Sequence, residues 1–359
     1  MNSPPDAAPL LALQPSPRLP VLFVGHGSPM NAIQENAWHH TWRDLGRELL
    51  ARPVRPQLIL CISAHWLTRG GWWLTGMARP RTLHDFSGFP RILFEQQYPA
   101  PGAPAVARAL AAQLRSPATG KPLGVDEGGD DNEWGLDHGA WSVLKPMFPA
   151  ADIPVVQLSM DYARPPAEHL ALGRQLAPLR ERGVLIVASG NVVHNLAAMR
   201  MGTGINAAYT WASGFDARVA DLVKSGQLDA LAGFAQWGAV AQLAHPTHDH
   251  FLPLLYAAGV QITEAVVQPF SELAQINAKG GFTAAEAWAW HRSHIDGAGR
   301  LADYDPRVGT RILRGKDISA ADYIELLARR QQWIDRVQTQ MADHDLMLMP
   351  TVLTRYFCM

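Results

Sequence analysis

Short apolar runs alternate with amphipathic stretches along most of the chain. Residues 19–25 (LPVLFVG), 57–63 (QLILCIS), 153–158 (IPVVQL) and 184–188 (VLIVA) lack the polar alternation of a half-exposed strand. Unbroken runs of this length suit strands covered on both faces. Between them, residues 35–52 carry Trp38, Trp42, Leu45 and Leu49 at near i, i+4 spacing, which predicts an amphipathic helix. Residues 103–114 and 167–182 also read as helices. The alternation predicts an α/β fold, a mostly parallel central sheet flanked by helices.

The texture changes after about residue 265. Thr283-Ala-Ala-Glu286 has the form of a capping box opening a helix through His294, and Ser319-Ala-Ala-Asp322 opens a longer one to about Ala342. Strand character returns only at residues 346–349. A mainly helical C-terminal extension is therefore expected. Residues 1–19 are proline-rich with no basic start, which predicts a flexible leader rather than a signal peptide. The division is a leader at 1–19, a central domain at 20–267 and an extension at 268–359, with the boundary near Gln268.

Composition narrows the function. With 31 basic against 32 acidic residues the net charge is -1, so no basic surface is available to displace counterions and nucleic acid is excluded as a partner. No apolar run approaches the ~18 residues of a membrane span, so no membrane partner is expected. Two cysteines, Cys61 and Cys358, make neither a disulfide framework nor a four-Cys metal site, and fit a reducing, cytoplasmic compartment. The unusual count is 14 histidines, the commonest metal-ligand side chain.

Three of them share one context. His26 follows LFVG, His65 follows LILCISA, and His194 lies just past VLIVASGN. Each falls beyond an expected buried strand, on the rim where open α/β sheets bind ligands. A single histidine there is most simply a loop residue bonded to backbone; three placed alike point to a shared metal or catalytic site. In His245-Pro-Thr-His248-Asp249-His250 one histidine is a candidate ligand and the other two fit a polar loop before a core helix. In Trp134-Gly-Leu-Asp137-His138-Gly-Ala-Trp141, Asp137 is placed to orient His138 for proton transfer; the plainer reading is a tight turn with tryptophan packing. His84-Asp85-Phe86-Ser-Gly-Phe89-Pro90 suits a pocket lid. Trp66, Phe86, Phe89 and Trp141 are candidate ring-packing walls, with core packing as the plainer role. G-x-S-x-G, a P-loop, a dinucleotide fingerprint and H-E-x-x-H are all missing.

These residues carry a resemblance. GHGSPM (25–30), SAHW (63–66), HDFSGFP (84–90), YPAPG (98–102), WGLDHGAW (134–141), VQLSMD (156–161), ASGNVVHNL (188–196) and HPTHDHFLPLLY (245–256) occur in the order found in the 4,5-DOPA extradiol dioxygenase family. That family belongs to the class III, LigB-like ring-cleaving dioxygenases. The resemblance covers about residues 18–260. It implies one divalent metal per chain, iron(II) for catalysis with zinc(II) as an alternative occupant, and a catechol and O2 as partners. Carried over by motif, the metal ligands are His26, His65, His194 and His250, and the acid–base residues are His138 and His194. His194 thus stands as a ligand, a base, or a ligand only when zinc fills the site; Asp249 is the weaker, carboxylate candidate.

Residues 270–352 resemble instead the C-terminal part of amidase-signature hydrolases, without the Gly/Ser-rich segment that bears their triad, so no catalytic residue carries over. Such a fragment is expected to leave apolar side chains exposed, with Trp288, Trp290, Ile324, Leu327 and Trp333 packing on the dioxygenase domain, loose, or covered by self-association. The expected activity is ring cleavage of a DOPA-like catechol to a semialdehyde. The alternatives are a zinc-dependent hydrolase or amidase using the same histidines, and an inactive fusion retaining only metal binding.

Overall fold

The computed structural model describes residues 13–129, 134–199, 208–259 and 272–341. The expected strand at 346–349, the boundary near Gln268, residues 1–12 of the leader and Cys358 lie outside them. The chain divides into two compact units, one drawn from residues 1–264 with 345–359 and one from 265–344.

The first unit is built on a six-stranded sheet. Its strands are β1 (Val21–Gly25), β2 (Leu58–Thr68), β3 (Trp73–Thr75), β5 (Gly124–Asp126), β7 (Val155–Asp161) and β8 (Val184–Gly190), in the order β1-β8-β2-β7-β3-β5. Every pairing is parallel except β3 with β7, which meet antiparallel at Leu74 and Leu158. Two short strands, β4 (Arg81–Thr82) and β6 (Gly135–Leu136), form a separate parallel pair. β7 and β8 are buried along their whole length, as their uninterrupted sequences require.

Counting only helices of seven residues or more, α1 (Ala37–Leu50) and α3 (His138–Met147) cover one face of the sheet. Trp42, Leu49, Trp141 and Leu144 pack there with Ile59 and Val187. The other face carries α2 (Pro104–Gln113), α4 (Pro166–Leu176), α5 (Thr210–Lys224) and α6 (Leu252–Ala258). Leu110, Leu170, Phe215 and Leu255 pack there against Leu60 and Ile186. The α/β architecture read from the apolar pattern is therefore the observed one.

Three expectations are corrected. β2 does not stop before His65 but runs on to Thr68, with a register shift between Ile62 and Leu67 that places His65 inside an irregular strand end. Residues 167–182 are not one helix: α4 ends at Leu176 and a 3-10 segment, Ala177–Arg182, follows it, Pro178 at its start. The second half of the leader is pinned rather than flexible. Leu13 and Leu19 are buried, and Ser16 N donates to Glu181 O at 2.9 Å. The apolar residues among the prolines supply that anchoring.

The second unit is helical: α7 (Gly281–Arg292), α8 (Pro306–Leu313) and α9 (Ala320–Met341). α9 opens as expected, with Ser319 N donating to Asp322 Oδ2 at 3.0 Å and Asp322 N donating to Ser319 Oγ at 3.1 Å. The box at Thr283 does not form. Gly280, at φ 102°, turns the chain into α7 earlier, so Glu286 lies inside the helix and accepts from Tyr323 Oη at 3.0 Å. Ala284, Ile295, Ile312 and Leu326 are buried, Trp288 lies beneath Lys316, and Trp290, Ile324 and Leu327 are exposed. No described helix is long and apolar enough to cross a membrane.

A polar network lies within the second face of the sheet unit. Trp72 Nε1 donates to Tyr256 Oη at 2.8 Å, and the same oxygen lies 2.8 Å from His169 Nδ1. Burial pushes the His169 imidazole from its ordinary 6.5 down to about 4. Between those values the unfolded chain binds the extra proton, so this group's contribution is present above 6.5 and is lost as the pH falls toward about 4. The free energy of unfolding should therefore decline over that window, by at most about 1.4 kcal/mol per pH unit from this residue. Denaturant titrations should show His169→Gln flattening the decline; an unchanged slope would mean that His169 is not the group responsible.

Candidate metal centre

Parallel pairing brings three strand ends to one rim. Val24 of β1 is paired with Ser189 of β8, and Ser189 with Ser63 of β2, so these residues form one row across the sheet. His26 and His65 each lie two residues beyond that row. The loop before α6 brings His250 to the same place, where His250 O accepts from Asn191 N at 2.8 Å. This approach requires glycine at 190, since a Cβ there would stand 2.3 Å from His250 O.

His26, His65 and His250 each offer one ring nitrogen within 4.8 Å of the other two. His26 Nε2 and His65 Nε2 are 3.3 Å apart. Imidazole nitrogens sharing one cation at about 2.0–2.1 Å stand roughly 3.0–3.4 Å from each other. The hydrogen bonds behind the rings decide which nitrogen faces inward. Ser189 Oγ donates its only proton to Gly139 O at 2.6 Å, so at 2.9 Å it accepts from His26 Nδ1. Asp249 Oδ2 accepts from His250 Nδ1 at 2.6 Å. Both histidines are therefore left with a bare lone pair on Nε2. Asp85 Oδ2, 3.5 Å from His65 Nδ1, favours a proton there too. Lone pairs facing one another at 3.3 Å repel unless a cation lies between them, and the donor set fits a divalent metal.

The electrostatics agree. Burial, with His65 and His250 nearby, holds His26 well below its ordinary value. Burial lowers His65, aided by His138, and pushes His250 down to about 3. All three rings are neutral at pH 7, the form that ligates. Burial raises Asp249, but its hydrogen bonds from His250, Thr247 and the backbone together outweigh this and keep it an anion.

His138 begins α3 beside this group. Its ring centroid is 3.9 Å from that of His65, and its Nδ1 is 3.0 Å from Asp85 Oδ2. Asp85 Oδ1 also accepts from His138 N at 2.8 Å. The carboxylate that addresses His138 is thus Asp85, not the adjacent Asp137 singled out from the sequence. Asp137 is buried and spent on structure, capping α3 through Ala140 N and accepting from Ser63 Oγ at 2.6 Å and from Gln157 Nε2.

His194 lies against the three-ring set but outside its common point. Its ring stacks on His250 at 3.4 Å, and it groups with Asp249 and His250 instead. Burial lowers its pKa. His245 is buried among Phe215, Phe234 and Phe251 with Nε2 2.6 Å from Val192 O, and His248 stacks on Tyr162 at 4.3 Å, so of that segment His250 alone joins the cluster. Of the candidate walls, Trp141 is core and Trp66 is buried against Trp134, while Phe86 lies nearly perpendicular to the His138 ring with centroids 5.5 Å apart. Two residues escaped the sequence reading. Asp85 reads from the sequence only as part of a lid, its one signal an acid in an aromatic loop. Ser189 was signalled by a hydroxyl at the end of an otherwise apolar strand.

Comparison with known proteins gives this arrangement a class. Residues 19–279 match the family model for the catalytic LigB subunit of aromatic ring-opening dioxygenase. The chain is 45% identical over 247 residues to the 4,5-DOPA dioxygenase extradiol of Escherichia coli (strain K12), covering 68% of this chain and 86% of that one. It is 34% identical to the protein of the same name from Beta vulgaris, covering 66% and 85%. The crystal structure of an uncharacterised Escherichia coli K12 protein aligns with TM-score 0.55 at 40% identity, over 67% of this chain and 88% of that one. The chain belongs to the LigB family of aromatic ring-opening dioxygenases. It is an oxidoreductase of the extradiol ring-cleaving type.

Replacing one ring of the trio should abolish retention. His65→Ala, analysed for metal content after gel filtration, should hold well under the wild-type stoichiometry with its circular dichroism unchanged. Undiminished metal would exclude the His26, His65 and His250 trio as the ligand set.

Proposed function

We propose that the protein cleaves the ring of a DOPA-like catechol with O2, beside the diol, to a ring-opened semialdehyde that keeps both oxygen atoms. The observation that carries this reading is the set of three neutral imidazoles, two with their outer nitrogens committed to Ser189 and Asp249, in a chain of the LigB family. The names of the Escherichia coli and Beta vulgaris relatives support a DOPA-like substrate. His26, His65 and His250 would hold one divalent metal, iron(II) in turnover, with zinc(II) able to bind the same donors. When bound, that ion supplies acidity to the catechol hydroxyls and a path for electrons from the ring to O2.

The remaining work falls to the chain's own side chains. Ser189 and Asp249 fix the tautomers of His26 and His250. Asp85 engages Nδ1 of His138, leaving Nε2 to accept a catechol proton and later return it. Phe86, edge-on to His138, limits water at that ring. His194, stacked on His250, is the second candidate base. The buried free thiol of Cys61 suits a reducing, cytoplasmic setting. We read residues 268–359 as an appended amidase-like fragment without a triad; the exposure of Trp290, Ile324 and Leu327 supports self-association through it.

Iron-loaded protein prepared without oxygen and mixed with catechols in air should consume O2 and form a yellow ring-fission product. Zinc-dependent hydrolysis without O2, and no colour at full iron occupancy, would overturn the proposal. His138→Ala should keep its metal and lose ~10²–10⁴ in turnover; wild-type rates would remove it from the mechanism. A chain ending at residue 269 should still bind metal and should sediment as a monomer where the full chain sediments as an oligomer. Loss of metal would mean that the extension is part of the catalytic fold.

A further inference from the structure

A cavity of about 400 Å³ opens beside the histidines, lined by Leu67, Thr68, Arg69, Tyr162, Thr247 and Asp249. That size is in the range of small-molecule sites. Asp249 belongs to both places: it lines the cavity, and it groups with His194 and His250 at the rim. Arg69 follows the strand that carries His65, one residue past the end of β2.

The cavity is lined by two opposite charges, the exposed Arg69 and the partly buried Asp249. Asp249 accepts from His250 through Oδ2, and the Thr247 side chain beside it also bonds to the carboxylate. Arg69 lies 5.8 Å over the Tyr162 ring and forms no ion pair among the described residues. Tyr162 is itself stacked on His248, so the guanidinium rests on a fixed surface. A cavity with one cation and one anion on its wall matches a zwitterion better than a neutral or singly charged group.

We propose that this cavity is the side-chain subsite of the ring-opening centre and takes the α-amino-acid end of a catechol amino acid. Arg69 pairs with the carboxylate, and the Asp249 carboxylate balances the ammonium. The inference rests on the ring-opening reading and adds the residues that select the substrate. A ring held at the histidines and a zwitterion held at Arg69 and Asp249 give a two-point grip that a plain catechol lacks.

The test is anaerobic calorimetry on the metal-loaded, full-length protein with four ligands: DOPA, 3-(3,4-dihydroxyphenyl)propionate, dopamine and 4-methylcatechol. Arg69→Gln should weaken the two carboxylate-bearing ligands by about 10–100-fold, the worth of a charge-assisted bond, while the other two bind as before. Arg69→Lys should recover part of the loss, because it restores charge without the planar fork. Equal weakening of all four ligands, or no weakening of any, would overturn the subsite. Wild-type binding of 4-methylcatechol as tight as that of DOPA would also overturn it and leave the ring-opening reading standing. Failure of the wild-type protein to bind any catechol would bring down both.

Discussion

The site depends on where two protons reside. Ser189 can donate only once and spends that proton on Gly139 O, so it must receive from His26; Asp249, as an anion, must receive from His250. Each ring is thereby turned so that a bare nitrogen faces the common point. Had either partner been a donor, the imidazole would present N–H inward and could not bind a cation. The surrounding fold serves to hold these two acceptors behind the rings.

Burial makes the cluster possible as well as useful. Five imidazoles close together would repel strongly if charged, and desolvation removes that charge from those closest to the centre. The two carboxylates nearby are placed behind rings, Asp249 on His250 and Asp85 on His138, where they bias tautomers. The same Asp249 lines the neighbouring cavity, which joins the histidine cluster to it.

The sheet converts sequence separation into proximity. His26, His65 and His250 come from three distant segments, and they meet because β1, β8 and β2 run parallel in register and end on one rim. Close backbone approach at Gly190 and Gly139 lets the α6 loop and the start of α3 reach that rim; a Cβ on Gly139 would stand 2.4 Å from Ser63 Oγ. Side-chain bulk at either position would push a histidine-bearing segment outward.

The strands, the main helices and the histidines at the strand ends were legible in the linear chain, because burial on two faces leaves an unbroken apolar run and a rim residue follows it directly. The α9 capping box was legible for the same reason, being a contact between residues three apart. The partner of His138 was not: Asp137 is its neighbour in sequence, yet the helix cap takes that carboxylate and a loop some fifty residues earlier supplies Asp85. Nor was the stacking of His194 on His250, the extension of β2 past His65, or the anchoring of residues 13–19. Each of these rests on contacts between remote segments, and the pattern of neighbours along a chain carries no record of which remote acceptor a proton will find.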